Sequence, residues 1–196
     1  MAGKVRDPNV GRDVLYGVLL GITWSISYAM LFSVVKRHGG EPAFCDEVFL
    51  QGPRWILGAS LWHLASSIQA MLILFMMMFV FRALLRKPWL AAIAFVAFWV
   101  GTRVASQSAT FFYANLTLQL VIYSIAAFVL LRFGFISLAI GMFSADLLLN
   151  IPATTHLSAW YASGTVFVLL VVVALAGWGA YTALGGQKLW KADAFD

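Results

Sequence analysis

Leu147–Tyr161, LLLNIPATTHLSAWY, joins two hydrophobic runs that are each long enough to cross a bilayer. It also gathers polar groups that hydrocarbon tolerates only when they are paired. Asp146 precedes it, and Asn150 follows four residues later on the same helical face. Pro152 ends the helix, Thr154, Thr155, His156 and Ser158 follow, and Trp160 and Tyr161 open the next run. The stretch reads as the link between the last two spans of a polytopic membrane protein.

Composition extends that reading to the whole chain. Of 196 residues, 62% are hydrophobic and 11% charged, and the mean hydropathy is +0.89. Soluble domains carry about 25% charged residues. The net charge of +5 is no nucleic-acid signal, because the basic residues stand at the ends of apolar runs, where they set topology. Cys45 is the single cysteine, so no intramolecular disulfide forms. The first apolar run is too long for a signal-peptide core and lacks a cleavage site, so it reads as a retained helix.

The expected fold is all-α, a polytopic membrane protein of about six transmembrane helices. Residues 1–13 read as an N-terminal tail, 14–184 as the membrane domain and 185–196 as a C-terminal tail. The spans fall at Val14–Val35, up to Phe81, Trp89–Ala105, Phe111–Leu131, Phe133–Asn150 and Ala159–Leu184. Lys36–Arg54 is the longest loop, broken by Gly39, Gly40 and Pro42. Trp55–Leu61 reads as a segment lying along the interface before the second span. Tight turns are expected at Arg82/Arg86/Lys87/Pro88 and at Arg132/Gly134, and a polar turn at Ser106–Thr110. Three small-residue seams stand out: Gly17/Gly21, Ala97/Gly101/Ala105 and Ser137/Gly141/Ala145. In lipid such seams let helices approach closely.

Six spans put both termini on one side. That side holds Lys4, Arg6, Arg12, Arg82, Arg86, Lys87, Arg132, Lys188 and Lys191, and the other holds Lys36, Arg37, Arg54 and Arg103. The bias places both termini in the cytoplasm of a bacterial inner membrane. Arg103, Asp146, Asn150 and His156 then form a polar outer cluster, with Asn115 and Gln119 in the same leaflet. An ionisable residue in a span is costly and marks function by default. An Arg103–Asp146 pair would lower that cost by locking the third helix to the fifth; the alternative is a polar pocket opening outward.

Other candidates are apolar. Trp24 and Tyr28, one helical turn apart, His63, and the run Met76, Met77, Met78 suit pigment or lipid contact between helices. His63, on a face shared with Ser66 or Ser67, is a candidate axial ligand for chlorophyll or haem, against the plainer reading of a hydrogen-bonded histidine. No metal-ligand set appears. GxxxxGK[ST], HExxH and a helix-opening GxGxxG are absent, and the single membrane carboxylate falls short of an aspartyl-protease pair. The chain reads as non-catalytic.

The stretches GRDVLYGVLLG, LLRFGFISLAIGMFSADLLLNIPATTHLSAWYASG and GWGAYTALGGQKLW resemble the C-terminal membrane domain of acidobacterial serine/threonine protein kinases. The kinase half is absent, with no HRD, DFG or Gly-rich phosphate loop, so phosphotransfer does not carry over. In size, the chain also resembles carotenoid-binding accessory proteins of acidobacterial homodimeric type I photosynthetic reaction centres. That resemblance implies photosynthesis, carotenoid or (bacterio)chlorophyll and lipids as bound groups, and other membrane subunits of a complex as partners. The leading expectation is therefore a non-catalytic accessory subunit of a larger membrane complex, a photosynthetic reaction centre; the kinase resemblance implies the alternative, a sensor or scaffold with an outward ligand pocket, and a small transporter is the third expectation.

Overall fold

A computed structural model describes residues 7–39, 47–105, 112–151, 154, 156 and 158–185. Cys45, loop residues 40–46, the expected turn at 106–110, Pro152, Thr155, Lys4, Arg6 and the tail from 186 lie outside the described residues. Six α-helices carry the fold, with no strand among the described residues: α1 (Pro8–Arg37), α2 (Pro53–Leu85), α3 (Pro88–Ala105), α4 (Phe112–Arg132), α5 (Phe135–Asn150) and α6 (Ala162–Ala183). A short 3-10 turn, Glu47–Leu50, precedes α2. The all-α expectation holds.

Prolines set three of the helix starts. Pro8, Pro53 and Pro88 each open a helix, where the missing N–H costs nothing and φ is already helical. Asp7 caps α1 by accepting the backbone N–H of Asn9 at 2.9 Å. The helix thus begins within the polar tail expected over residues 1–13. Pro53 likewise corrects the interfacial segment: Trp55–Leu61 forms the first turns of α2, which runs unbroken for 33 residues, about 50 Å. Only Arg86 and Lys87 separate α2 from α3, with Arg86 left-handed at φ 56°. Only Phe133 and Gly134 separate α4 from α5. Both tight turns fall where the sequence puts them.

Four helices, α1, α2, α4 and α6, are long and apolar enough to cross a membrane. The 18 residues of α3 and 16 of α5 reach about 27 and 24 Å, short of a hydrocarbon core of about 30 Å. Large apolar side chains face outward: Leu61, Trp62, Phe79, Leu84, Leu170 and Val173 are each more than half exposed. Patches of that kind suit a lipid surface, not a watery one.

Helix α1 is the hub. It packs most extensively on α5 and next on α6, while α2 holds α5 and α3, and α3 holds α4. Two of the three small-residue seams meet each other. A Cβ on Gly17 would stand 2.7 Å from the Ser137 carbonyl oxygen, and one on Gly21 would stand 2.5 Å from Ser144 Cβ and 2.8 Å from the Gly141 carbonyl oxygen. Without a hydrophobic drive in lipid, such backbone approach is what holds helices together. Gly11 makes the same kind of contact with Gly179, Thr182 and Ala183 of α6. The third seam behaves otherwise: Ala97 and Gly101 are exposed, and a Cβ on Gly101 would meet nothing within 4 Å. Among the described residues, Ala97 and Gly101 close no helix pair.

Candidate functional site

Five helices line a partly open cavity of about 360 Å³, within the size range of small-molecule sites. Four of them contribute a stripe at helical spacing: Trp24 and Tyr28 from α1; Ala70, Ile73 and Leu74 from α2; Trp99 and Arg103 from α3; Met142, Ala145, Asp146 and Leu149 from α5; α4 adds the neighbours Ile122 and Tyr123. Two groups that the sequence keeps apart, the Trp24/Tyr28 pair and the Arg103/Asp146 pair, therefore line one space.

No ion pair joins Arg103 to Asp146, so the interhelical lock expected between α3 and α5 is corrected. The Ser67 hydroxyl donates to Asp146 Oδ2 at 2.8 Å, tying α2 to α5, and His63 lies within electrostatic reach of the same carboxylate. Ser67 is 1% exposed. Arg103 Nε donates to the Tyr123 hydroxyl at 3.2 Å. Helical register explains both partners: His63, Ser67 and Ala70 follow one face of α2, and Trp99 and Arg103 are one turn apart on α3.

The aromatic wall is ordered around these charges. Trp99 stacks on Tyr123 with centroids 5.9 Å apart and planes 15° from parallel, a geometry that stabilises beyond burial alone. The Tyr28 ring tilts against Phe32, and its hydroxyl lies near the buried Gln119 and within electrostatic reach of Tyr123, Arg103 and Asp146. The indole N–H of Trp99 is buried without a hydrogen-bond partner among the described residues.

The remaining sequence candidates disperse. Asn150 turns back, its side-chain N–H donating to the Asp146 carbonyl oxygen at 2.8 Å. It stabilises the end of α5 and does not line the cavity. His156 is exposed in the turn that leads to α6: its backbone N–H donates to Thr154 Oγ1 at 3.0 Å and its carbonyl accepts from Ala159. The outer cluster therefore narrows to Arg103 and Asp146. His63 stacks on Phe49 at 5.9 Å and does not line the cavity. Met76, Met77 and Met78 do not share a face, since consecutive residues are turned about 100° on a helix. Met76 is exposed at 55%, Met78 is buried at 3%, and Met77 packs at the core edge.

Sequence reasoning passed over Ser67 as an acceptor's partner, and missed Trp99 and Tyr123. The signal was present. Tyr and Trp carry polar tips that need partners when buried, and Trp24, Trp99 and Tyr123 are far from the span ends where interfacial belts form.

A second, apolar groove of about 480 Å³ lies between α3 and α4, lined by Ile93, Val96, Ala97, Val100, Leu120 and Phe128 among others. Among the described residues, no group of three or more His, Cys, Asp or Glu is placed to hold a metal ion. Fold and surface define an all-α protein with the long apolar helices of a membrane protein. No family model, curated protein or solved structure matches the chain.

Proposed function

We propose that the protein is a non-catalytic membrane sensor or scaffold whose five-helix cavity binds a small ligand. The observation that carries this reading is one cavity lined by the Asp146 carboxylate, held by the Ser67 hydroxyl, together with four aromatic rings, Trp24, Tyr28, Trp99 and Tyr123. A membrane protein pays for an intramembrane charge only where the charge is used. In this reading all six helices cross a bacterial inner membrane with both termini in the cytoplasm. The contact of Gly11 with the end of α6 supports termini at one end of the bundle, and α5, lying along α1, supports a span despite its shortness. The likeness to kinase membrane domains makes a cytoplasmic kinase the expected output partner.

The test is a thermal-shift screen of the detergent-solubilised chain against small cations, anions, zwitterions and uncharged amphiphiles. At least one class raises the melting temperature, and Ala70→Trp or Leu149→Trp, which fill the cavity from facing helices, removes the shift. No shift with any class, or shifts that survive both fillings, would sink the reading.

The α3–α4 groove favours a second reading, an accessory subunit of a larger membrane complex such as a photosynthetic reaction centre. There the exposed Ala97/Gly101 face would receive a partner helix, and the groove a carotenoid, (bacterio)chlorophyll or lipid chain. An absorption spectrum of gently extracted protein decides it: pigment bands that co-migrate with the chain support the subunit role, and a spectrum of tryptophan and tyrosine alone removes the pigment.

A further inference from the structure

We infer that the cavity takes a small organic ammonium ion, with its charge at the Asp146 carboxylate among the rings of Trp24, Tyr28, Trp99 and Tyr123; this names the ligand class and rests on the ligand-binding reading above.

Asp146 supplies the charge. It is held from one side: the Ser67 hydroxyl donates to Oδ2 at 2.8 Å, and His63 lies within electrostatic reach. Neither of those α2 residues lines the cavity, whereas Asp146 does. An ionised carboxylate accepts through two oxygens and several lone pairs, so the bond to Ser67 fixes the group and leaves capacity for an ammonium donor. Arg103 reaches the cavity from α3 with its Nε donating to the Tyr123 hydroxyl and takes no part in holding the cation.

The rings make the cation an organic one. Trp24 and Tyr28 from α1, Trp99 from α3 and Tyr123 from α4 line the same space as the carboxylate, and Trp99 and Tyr123 are already stacked on each other. Ring faces attract ammonium groups, and aromatic cages hold them. A hard metal ion would need several oxygen ligands, and among the described residues no group of three or more His, Cys, Asp or Glu is placed to hold one. Ile73, Met142 and Leu149 add an apolar wall for a carbon body. The volume of about 360 Å³ is near the lower end for ligand sites, so that body is compact.

Binding is measured by thermal shift and isothermal titration on the full chain in a maltoside detergent. The probes are benzylammonium and benzyltrimethylammonium, with benzyl alcohol and phenylacetate as neutral and anionic probes of related shape. Benzylammonium binds saturably, and the alcohol and phenylacetate each bind at least about tenfold more weakly. Asp146→Asn, which keeps an acceptor for Ser67, weakens benzylammonium by about tenfold or more and leaves the alcohol unchanged. Trp24→Leu leaves the carboxylate in place and weakens benzylammonium by at least about threefold. Should only benzyltrimethylammonium bind, with the same losses in the variants, the inference stands and the ring faces hold the charge without an N–H donor. Binding by neither ammonium probe overturns it, as does ammonium affinity unchanged in both variants. If the alcohol or phenylacetate binds as tightly as benzylammonium and Ala70→Trp removes that binding, the ammonium ion is overturned and the ligand-binding reading survives.

Discussion

Asp146 keeps its carboxylate beside a serine hydroxyl, not beside an arginine, and this decides what its removal does. Breaking a buried ion pair would destabilise by about 3–5 kcal/mol. Here Asp146→Asn keeps the Ser67 contact and removes a desolvated charge. We expect stability in detergent to stay level or rise, by at most about 2.5 kcal/mol. Chemical denaturation measures it, and a loss on the ion-pair scale would restore the α3–α5 lock. Glycine gives a second contrast at this scale. Gly21→Ala drives a Cβ into Ser144 and the Gly141 carbonyl, so it destabilises by about 1–3 kcal/mol. Gly177→Ala meets nothing within 4 Å, so it stabilises by up to about 1 kcal/mol through helix propensity. Equal effects at the two positions would show that α1 and α5 do not touch through Gly21. The residue scale is also where the sequence is least transparent: Arg103 and Asp146 are conspicuous in it, but whether two charges bond depends on helix rotation and separation. Those depend in turn on packing that no single helix encodes.

At the scale of elements, most of the fold can be read from the chain. Apolar runs give the helices, because in hydrocarbon the backbone must satisfy itself. Gly17/Gly21 and Ser137/Gly141/Ala145 are visible as seams, and the structure sets them against each other. Ala97/Gly101 has the same spacing and faces outward, since spacing marks a capable face and not the partner. Pro53 was the overlooked signal for α2, and reading it as a helix start lengthens that helix by two turns. The 3-10 turn before α2 is invisible to periodicity, yet its Phe49 is 1% exposed. It inserts into a cluster with Val18, Ile56, Leu147 and Val168 and stacks on His63. Phe49→Ala should cost about 3–5 kcal/mol in the same denaturation assay. A cost below about 1 kcal/mol would mean that the turn does not pack there.

For the whole molecule, the parallel α1 and α5, the antiparallel α6 and the two-residue turns all fit a bundle in which the start of α1 lies beside the end of α6. Reporter fusions at both termini should be active on the cytoplasmic side, and opposite locations would remove one span from the six. The central claim is that the cavity between five helices is a binding site. Native mass spectrometry of the gently extracted protein, compared with Ala70→Trp, tests it most directly. The expected result is a small bound mass on the natural chain that the filled variant lacks. A bare natural chain, or the same adduct on both proteins, would contradict it.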